Sequence, residues 1–215
     1  MQGFETFNDF GNIQIGSENI LFGLVTKQVV TDTITMNFNP FGIAMTHWSI
    51  QYTGIAPICA FSCEYETVYK GSRVQGNTHT FWFASKTAPP NTPCTFYIFD
   101  LVNNISNPDN FGLECFNANA QRTYASSIKP FKMVMPNNQG IVQNVTKIAA
   151  WGGYTWSWQL YEAKATLSVG SRRIIGNQVF NDGGIYHIWQ VYNPPYYGNG
   201  AGSSGPSGLI DVSNY

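Results

Sequence analysis

The acids able to act as a hydrolytic pair are Glu64, Glu66, Asp100, Glu114 and Glu162. Glycoside hydrolysis needs two carboxylates about 5–10 Å apart, one to donate a proton and one to attack or to activate water. Nothing in their spacing ties two of these five to one site, and any β-rich chain with 12 acids offers similar pairs. The histidines His47, His79 and His187 stand at no metal or triad spacing from a partner. No Gly-x-Ser-x-Gly elbow, phosphate-cradling glycine loop or His-Glu-x-x-His helix is present. Cys59 and Cys63 would need Cys94, Cys115, His47 or His79 to complete a zinc site. The Cys-x3-Cys pair lacks the second tight pair of structural zinc sites. The four thiols therefore read as small buried hydrophobes, and the chain is expected to carry no metal, no cofactor and no enzymatic activity.

Aromatic side chains offer a different chemistry. Trp151, Tyr154, Trp156 and Trp158 flank Gly152 and Gly153, and Tyr196-Tyr197 lie in a Gly/Pro-rich stretch. Flat apolar faces beside Gln and Thr hydrogen-bonders suit a sugar ring, which makes Trp151, Tyr154, Tyr196 and Tyr197 the expected glycan or partner contacts. Against this, Tyr154, Trp156 and Trp158 share strand parity, and such a stripe is the ordinary signature of a core.

The elements that must hold these residues are strands. Residues 31–38 alternate, with Ile34, Met36 and Phe38 on one face. Residues 45–52, 57–69 and 79–83 are β-branched and aromatic. Three prolines within Ala88–Pro93 mark a connection, because proline removes ladder donors. Residues 94–102 are apolar on both parities, as in a central strand covered on both faces. Further strands are expected at 131–135, 141–150, 154–161 and 185–192, around a turn at Pro136–Gly140; only Leu160–Leu167 has a weak helical pattern. The class is all-β, an antiparallel sandwich. Residues 1–192 form the β-rich domain, with related halves at about 1–108 and 109–192. From Asn193 onward a Gly/Ser/Pro-rich stretch reads as a flexible tail. It ends in Leu209, Ile210 and Val212, an apolar segment suited to adding a strand to a neighbouring subunit or to packing on its own domain.

An internal repeat organises the chain. Laying Gly3-Phe4-Glu5-Thr6-Phe7-Asn8 on Gly112-Leu113-Glu114-Cys115-Phe116-Asn117, an offset of 109, also pairs Ser17 with Ser126 and Phe22 with Phe131. Six identities over the twenty aligned positions exceed the roughly one expected by chance, and each copy reads as a β-hairpin. The second copy, Gly-Leu-Glu-Cys-Phe-Asn-Ala followed by Ser126-Ser127-x-x-Pro130-Phe131-Lys132, is preceded by the aromatic strand Thr95–Asp100. This pattern, with the opening Gly-Phe-Glu-Thr-Phe-Asn-Asp, resembles small tail-associated proteins of tailed bacteriophages. The likeness covers residues 1–22 and 94–132. It departs from the pattern at Ala120, where a glycine is usual, and at Tyr124-Ala125, where an aromatic-acidic pair is usual. The resemblance implies a structural component of the virion, in the tail tip or tail fibre region. Its partners would be further copies of itself and other tail proteins. A receptor- or carbohydrate-binding module contacting a host surface glycan is the alternative.

Composition narrows the partners. Charged residues make up 11% of the chain, aromatics 15%, and the net charge is −1. That balance gives no electrostatic footprint for nucleic acid. No run reaches the 18 or so apolar residues of a membrane span. The acidic start, with Glu5, Asp9 and Glu18, lacks the basic and apolar regions of a signal peptide. The expected location is the virion, after synthesis in the host cytoplasm.

Overall fold

The computed structural model describes residues 5–7, 13–16, 20–31, 34–38, 43–106, 112–152, 155–161, 164–190, 198–203 and 207–215. Side chains are described over 20–31, 45–106, 112–152, 171–180 and 207–215. The chain is built of strands: β1 (Glu5–Phe7), β2 (Ile13–Gly16), β3 (Phe22–Val30), β4 (Ile34–Phe38), β5 (Ile43–Thr53), β6 (Ile58–Ser62), β7 (Val68–Gln75), β8 (Thr78–Ser85) and β9 (Cys94–Leu101). A 3-10 turn, Val102–Asn104, follows. Then come β10 (Glu114–Phe116), β11 (Arg122–Ala125), β12 (Met133–Val134), β13 (Ile148–Gly152), β14 (Thr155–Tyr161), β15 (Lys164–Ile175), β16 (Gln178–Gln190), β17 (Gly198–Ser203) and β18 (Ser207–Asp211). The class is all-β, and each of these strand pairs is antiparallel. The weak helical pattern at 160–167 is overruled: β14 and β15 pair through it, Tyr161 opposite Lys164.

A six-stranded sheet, in the order β12-β18-β13-β6-β9-β3, faces a four-stranded sheet, β4-β5-β8-β7. Their facing sides share one core. Phe61, Phe96, Ile98, Ile148 and Leu209 from the first meet Trp48, Ile50, Phe81 and Phe83 from the second. The Phe83 ring lies 4.8 Å from Phe96 and 5.4 Å from Phe61, both tilted, which is the favoured geometry for aromatic pairs. The second four-stranded sheet, β16-β15-β14-β17, joins this body through the β15–β16 hairpin. Ile174 donates to the Cys63 carbonyl at 2.8 Å, and Thr67 and Arg172 exchange backbone hydrogen bonds at 2.9 Å.

β9 is the strand that apolar residues on both parities predict. It lies between β6 and β3, with Phe96 and Ile98 in the shared core and Tyr97 and Phe99 buried on the opposite face. The stretch 57–69 is less continuous than its composition suggests: β6 stops at Ser62, and Cys63–Thr67 turn before β7. Likewise β13 begins only at Ile148, and residues 141–147 are irregular.

The C-terminus corrects the expected tail. Ser207–Asp211 is inserted between β13 and β12, with Ile210 opposite Ala149 on one side and Met133 on the other. Leu209, Ile210 and Val212 are buried in their own chain's sheet, and Gly198–Ser203 pairs with β14. Burying three apolar side chains and completing two ladders outweighs the flexibility that the Gly/Ser composition suggests. The sheet draws three strands from before residue 108 and three from after it, so the two related halves share one layer.

Candidate functional site

The repeated hairpin is present in both copies, and its register is the same. β1 pairs with β2 as Glu5–Gly16, Thr6–Ile15 and Phe7–Ile13, with a bulge between Thr6 and Phe7. Shifted by 109, these become Glu114–Ala125, Cys115–Tyr124 and Phe116–Arg122, with a bulge between Cys115 and Phe116, as observed for β10 and β11. In the second copy the shared residues have clear tasks. The Asn117 carboxamide oxygen accepts from the Asn119 and Gln121 amides at 3.0 and 2.9 Å, tying the turn. Ser126 Oγ accepts from the Leu113 amide at 2.9 Å. Gly112 sits at φ +144°, where a Cβ would meet Ser126 Oγ at 2.6 Å. Ala120 takes φ +58°; it aligns with Gly11, so this copy holds an alanine in a left-handed conformation that disfavours it. The aligned Phe22 and Phe131 meet, their rings 6.2 Å apart, and the Phe131 amide donates to the Phe22 carbonyl at 2.9 Å.

Next to this hairpin lies a cleft of about 430 Å³. It is lined by Leu24 and Val25 of β3, Tyr52 of β5, Asn104–Ser106 after the 3-10 turn, and Ser127–Lys129 after β11. Each wall is fixed by a specific interaction. Arg122 clamps the 3-10 turn: its guanidinium donates to the Val102 carbonyl at 2.9 Å and to the Ile105 carbonyl, and pairs with Glu114 at 2.8 Å. The segment after β11 is drawn onto β3 by Leu24 donating to the Lys129 carbonyl at 2.7 Å. Gly23 permits this approach, since a Cβ there would meet Ile128 Cγ2 at 2.3 Å. Burial raises the pKa of the Tyr52 phenol, and the nearby Asp100 carboxylate adds to the rise.

Two of the five acids, Asp100 and Glu114, are engaged in structural contacts. Asp100 is fully buried and accepts from the backbone amides of Ile55, Ala56 and Leu101 at 3.1, 3.1 and 2.8 Å, so it anchors the β5–β6 loop. Glu114 is the ion partner of Arg122. Glu64 is exposed, Glu66 half-buried, and Glu162 lies outside the described residues.

The cysteines are four free, buried thiols. Burial pushes the Cys59 and Cys94 thiols well up. Cys63 goes down to about 6, because the Cys94 thiol hydrogen-bonds to it and outweighs burial. Among the described residues no group of three His, Cys, Asp or Glu side chains is placed to hold a metal.

Of the expected aromatic contacts, Trp151 is half-buried on the outer face of β13 rather than part of an open patch. Phe131 packs edge-on against it at 5.5 Å. Its indole lies over Gly208, where a Cβ would meet Nε1 at 2.8 Å. Tyr154, Tyr196 and Tyr197 lie outside the described residues, as do the side chains of Trp156 and Trp158.

Among the described residues, buried polar atoms without a hydrogen-bond partner include Tyr97 OH, Trp151 Nε1, Asn103 Oδ1 and Asn104 Nδ2. Such orphans are rare in folded proteins and each calls for an explanation. Sequence reasoning passed over Tyr52, Asn104 and Arg122. The available signal was position: Arg122, Ser127 and Lys129 fall inside the repeated stretch, and Asn104 inside the resemblance-bearing one. No protein-family model, curated protein or solved structure matches this chain.

Proposed function

We propose that this protein is a non-enzymatic structural component of a tailed phage virion, in the tail tip or fibre region, acting by oligomeric assembly. The sequence likeness of residues 1–22 and 94–132 supports this reading, and one structural observation carries it. The β10–β11 hairpin exposes Leu113 and Phe116 to 53% and 51%, and in the aligned sequence of the first copy Phe4 and Phe7 stand at the equivalent positions. Large apolar groups kept at matching places on a duplicated hairpin, and left uncovered in one copy, fit contact with a repeating partner. The outer edge of β3 adds to this. Beyond Leu24 it has no strand partner among the described residues, and it exposes Val29 to 59%, an edge open to pairing with a neighbouring subunit.

Quantitative mass spectrometry of purified particles tests the assignment. The expected result is this chain at a fixed copy number, in threes or sixes relative to a known tail component. Absence from particles overturns it. A carbohydrate-binding role is the second reading, favoured by the cleft beside Tyr52.

A further inference from the structure

We propose that Cys63 and Cys94 form a disulfide when the folded chain meets a peroxide, a cross-link that staples β6 to β9. The cross-link is independent of the assembly proposed above and follows from the sheet's register. β6 and β9 pair antiparallel, with Phe61 opposite Phe96 and Ser62 opposite Thr95. One step further along the same register puts Cys63 opposite Cys94. Both belong to the core that holds Phe61 and Phe96, at 3% and 0% exposure. Directly opposed residues of an antiparallel pair have Cα atoms about 4.5–5.5 Å apart, inside the roughly 4.4–6.8 Å that a disulfide spans. Cys94 Sγ lies 4.0 Å from the Ser62 carbonyl oxygen, the peptide group that leads into Cys63, so its sulfur already reaches across to the facing strand.

The other two thiols are placed elsewhere. Cys59 comes four residues before Cys63, about 13 Å away along an extended chain. It stands opposite Ile98, with the Phe61–Phe96 pair between it and Cys94. Cys115 lies on β10, in a different sheet, and takes no part in this core. The two facing thiols also divide the chemistry. The Cys94 thiol is the largest influence on Cys63 and brings it down to about 6 against burial, while burial and then Cys63 hold Cys94 well up. Cys63 is therefore the nucleophile, since the thiolate is the reactive form. Both cysteines border exposed residues: Cys63 opens the turn to Thr67, with Glu64 exposed beside it, and Cys94 follows the exposed Pro93. Local opening of a turn costs less than global unfolding and admits a molecule as small as hydrogen peroxide.

The Cys63 thiolate takes one oxygen of the peroxide, forming a sulfenic acid and releasing hydroxide, which picks up the proton Cys63 had shed and leaves as water. Cys94 Sγ then attacks the Cys63 sulfur. The S–O bond breaks, the departing hydroxide takes the Cys94 proton, and the S–S bond closes. The two thiols give up two electrons, and one peroxide becomes two waters. The bond forms where it matters to the architecture. The Cys63 carbonyl accepts from Ile174 at 2.8 Å, beside the Thr67–Arg172 exchange, so the cross-link fixes the point at which the β15–β16 hairpin joins the two facing sheets. Closing the loop from Cys63 to Cys94 limits the unfolded chain and should raise the melting temperature by about 5–10 °C.

Treatment of the full chain with hydrogen peroxide tests this, followed by alkylation of the remaining thiols, non-reducing chymotryptic digestion and mass spectrometry. Cleavage after Phe61 separates Cys59 from Cys63, and cleavage after Phe96 and Phe111 separates Cys94 from Cys115. The expected result is one pair of peptides joining Cys63 to Cys94 within a single chain, with Cys59 and Cys115 alkylated. The melting temperature should rise by about 5–10 °C and return to its starting value with dithiothreitol. Cys94→Ser should carry an oxidised Cys63, no link and no rise; mapping on the unaltered chain keeps the test decisive if that variant fails to fold. A link to Cys59 or Cys115, a link between two chains, Cys63 oxidised to sulfinic acid with Cys94 still alkylated, or four alkylated thiols each overturn the proposal. A Cys63–Cys94 link without a rise in melting temperature overturns the staple.

Discussion

The two faces of the six-stranded sheet are made from alternate residues of the same strands, yet they end differently. On the inner face, Phe61, Phe96, Ile98 and Leu209 interlock with a second sheet, and polar side chains beside that core find partners. Trp48 Nε1 donates to the Thr92 carbonyl at 2.9 Å, and Thr46 Oγ1 to the Ala88 carbonyl at 2.7 Å. On the outer face, Tyr97, Phe99, Trp151, Phe131 and Tyr215 gather. One row of it runs Gly208, Trp151, Ala60, Tyr97, Lys27 across five strands, and it holds two polar atoms without partners. The small Ala60 separates the two polar aromatics, so neither Tyr97 OH nor Trp151 Nε1 finds an acceptor nearby. The outer face gives some stability up by burying aromatics with polar tips where apolar rings would serve better.

The contrast can be broken first at its strongest point. Phe96→Ala on the inner face should cost about 3–5 kcal/mol, read from the shift in denaturant midpoint, because the paired sheets cannot collapse around the hole. A loss below about 1 kcal/mol would mean that this face is not a packed core.

Ile210→Ala comes next, with an expected loss of about 2–4 kcal/mol, since Ile210 is fully buried on the outer face between β12 and β13. If the C-terminal segment were a free tail, the same change would fall within about 0.5 kcal/mol of zero.

Tyr97→Phe should act in the opposite direction. It removes an unpartnered buried hydroxyl and should gain about 1 kcal/mol at neutral pH. The pH profile sharpens this. Burial pushes Tyr97 and Tyr215 up to about 12, above the ordinary value of 10.0. In that window the folded chain keeps protons that the unfolded chain releases. Stability should therefore be full below pH 10 and fall as the pH rises from 10 to about 12. Tyr97→Phe should flatten that fall in an alkaline unfolding series; an unchanged slope would show that Tyr97 ionises freely in the fold.

The smallest effect lies outside both faces. Ala120→Gly should raise stability by about 0.5–1 kcal/mol by relieving the left-handed backbone at φ +58°. A lower melting temperature would show that the turn is not strained.

Much of the local structure was legible in the residues. Alternating Ile34, Met36 and Phe38 marked β4, and the double-sided apolar run marked β9 as central. The six identities at an offset of 109 announced two hairpins, whose matching bulges followed. The cleft was not legible. Its walls come from β3, the end of β5, the exit of a 3-10 turn and the segment after β11, four places separated by up to about a hundred residues. No periodicity links them.

What the sequence determined by itself was therefore everything that depends on neighbours along the chain: the strand pattern, the turn chemistry of Asn117 and Gly140, and the all-β class. What the tertiary structure decided was which strand lies beside which. Ser207–Asp211 follows a stretch with the composition of a linker, and its three apolar residues cannot reveal an interior place in a sheet. That place follows from an open edge on β13, some sixty residues earlier, whose unpaired backbone groups and apolar face needed a partner. The fate of Tyr97 and Trp151 has the same origin. An aromatic with a polar tip suits a strand in either a wet or a dry setting, and only the packing of Phe131 and Tyr215 over that face made its setting dry.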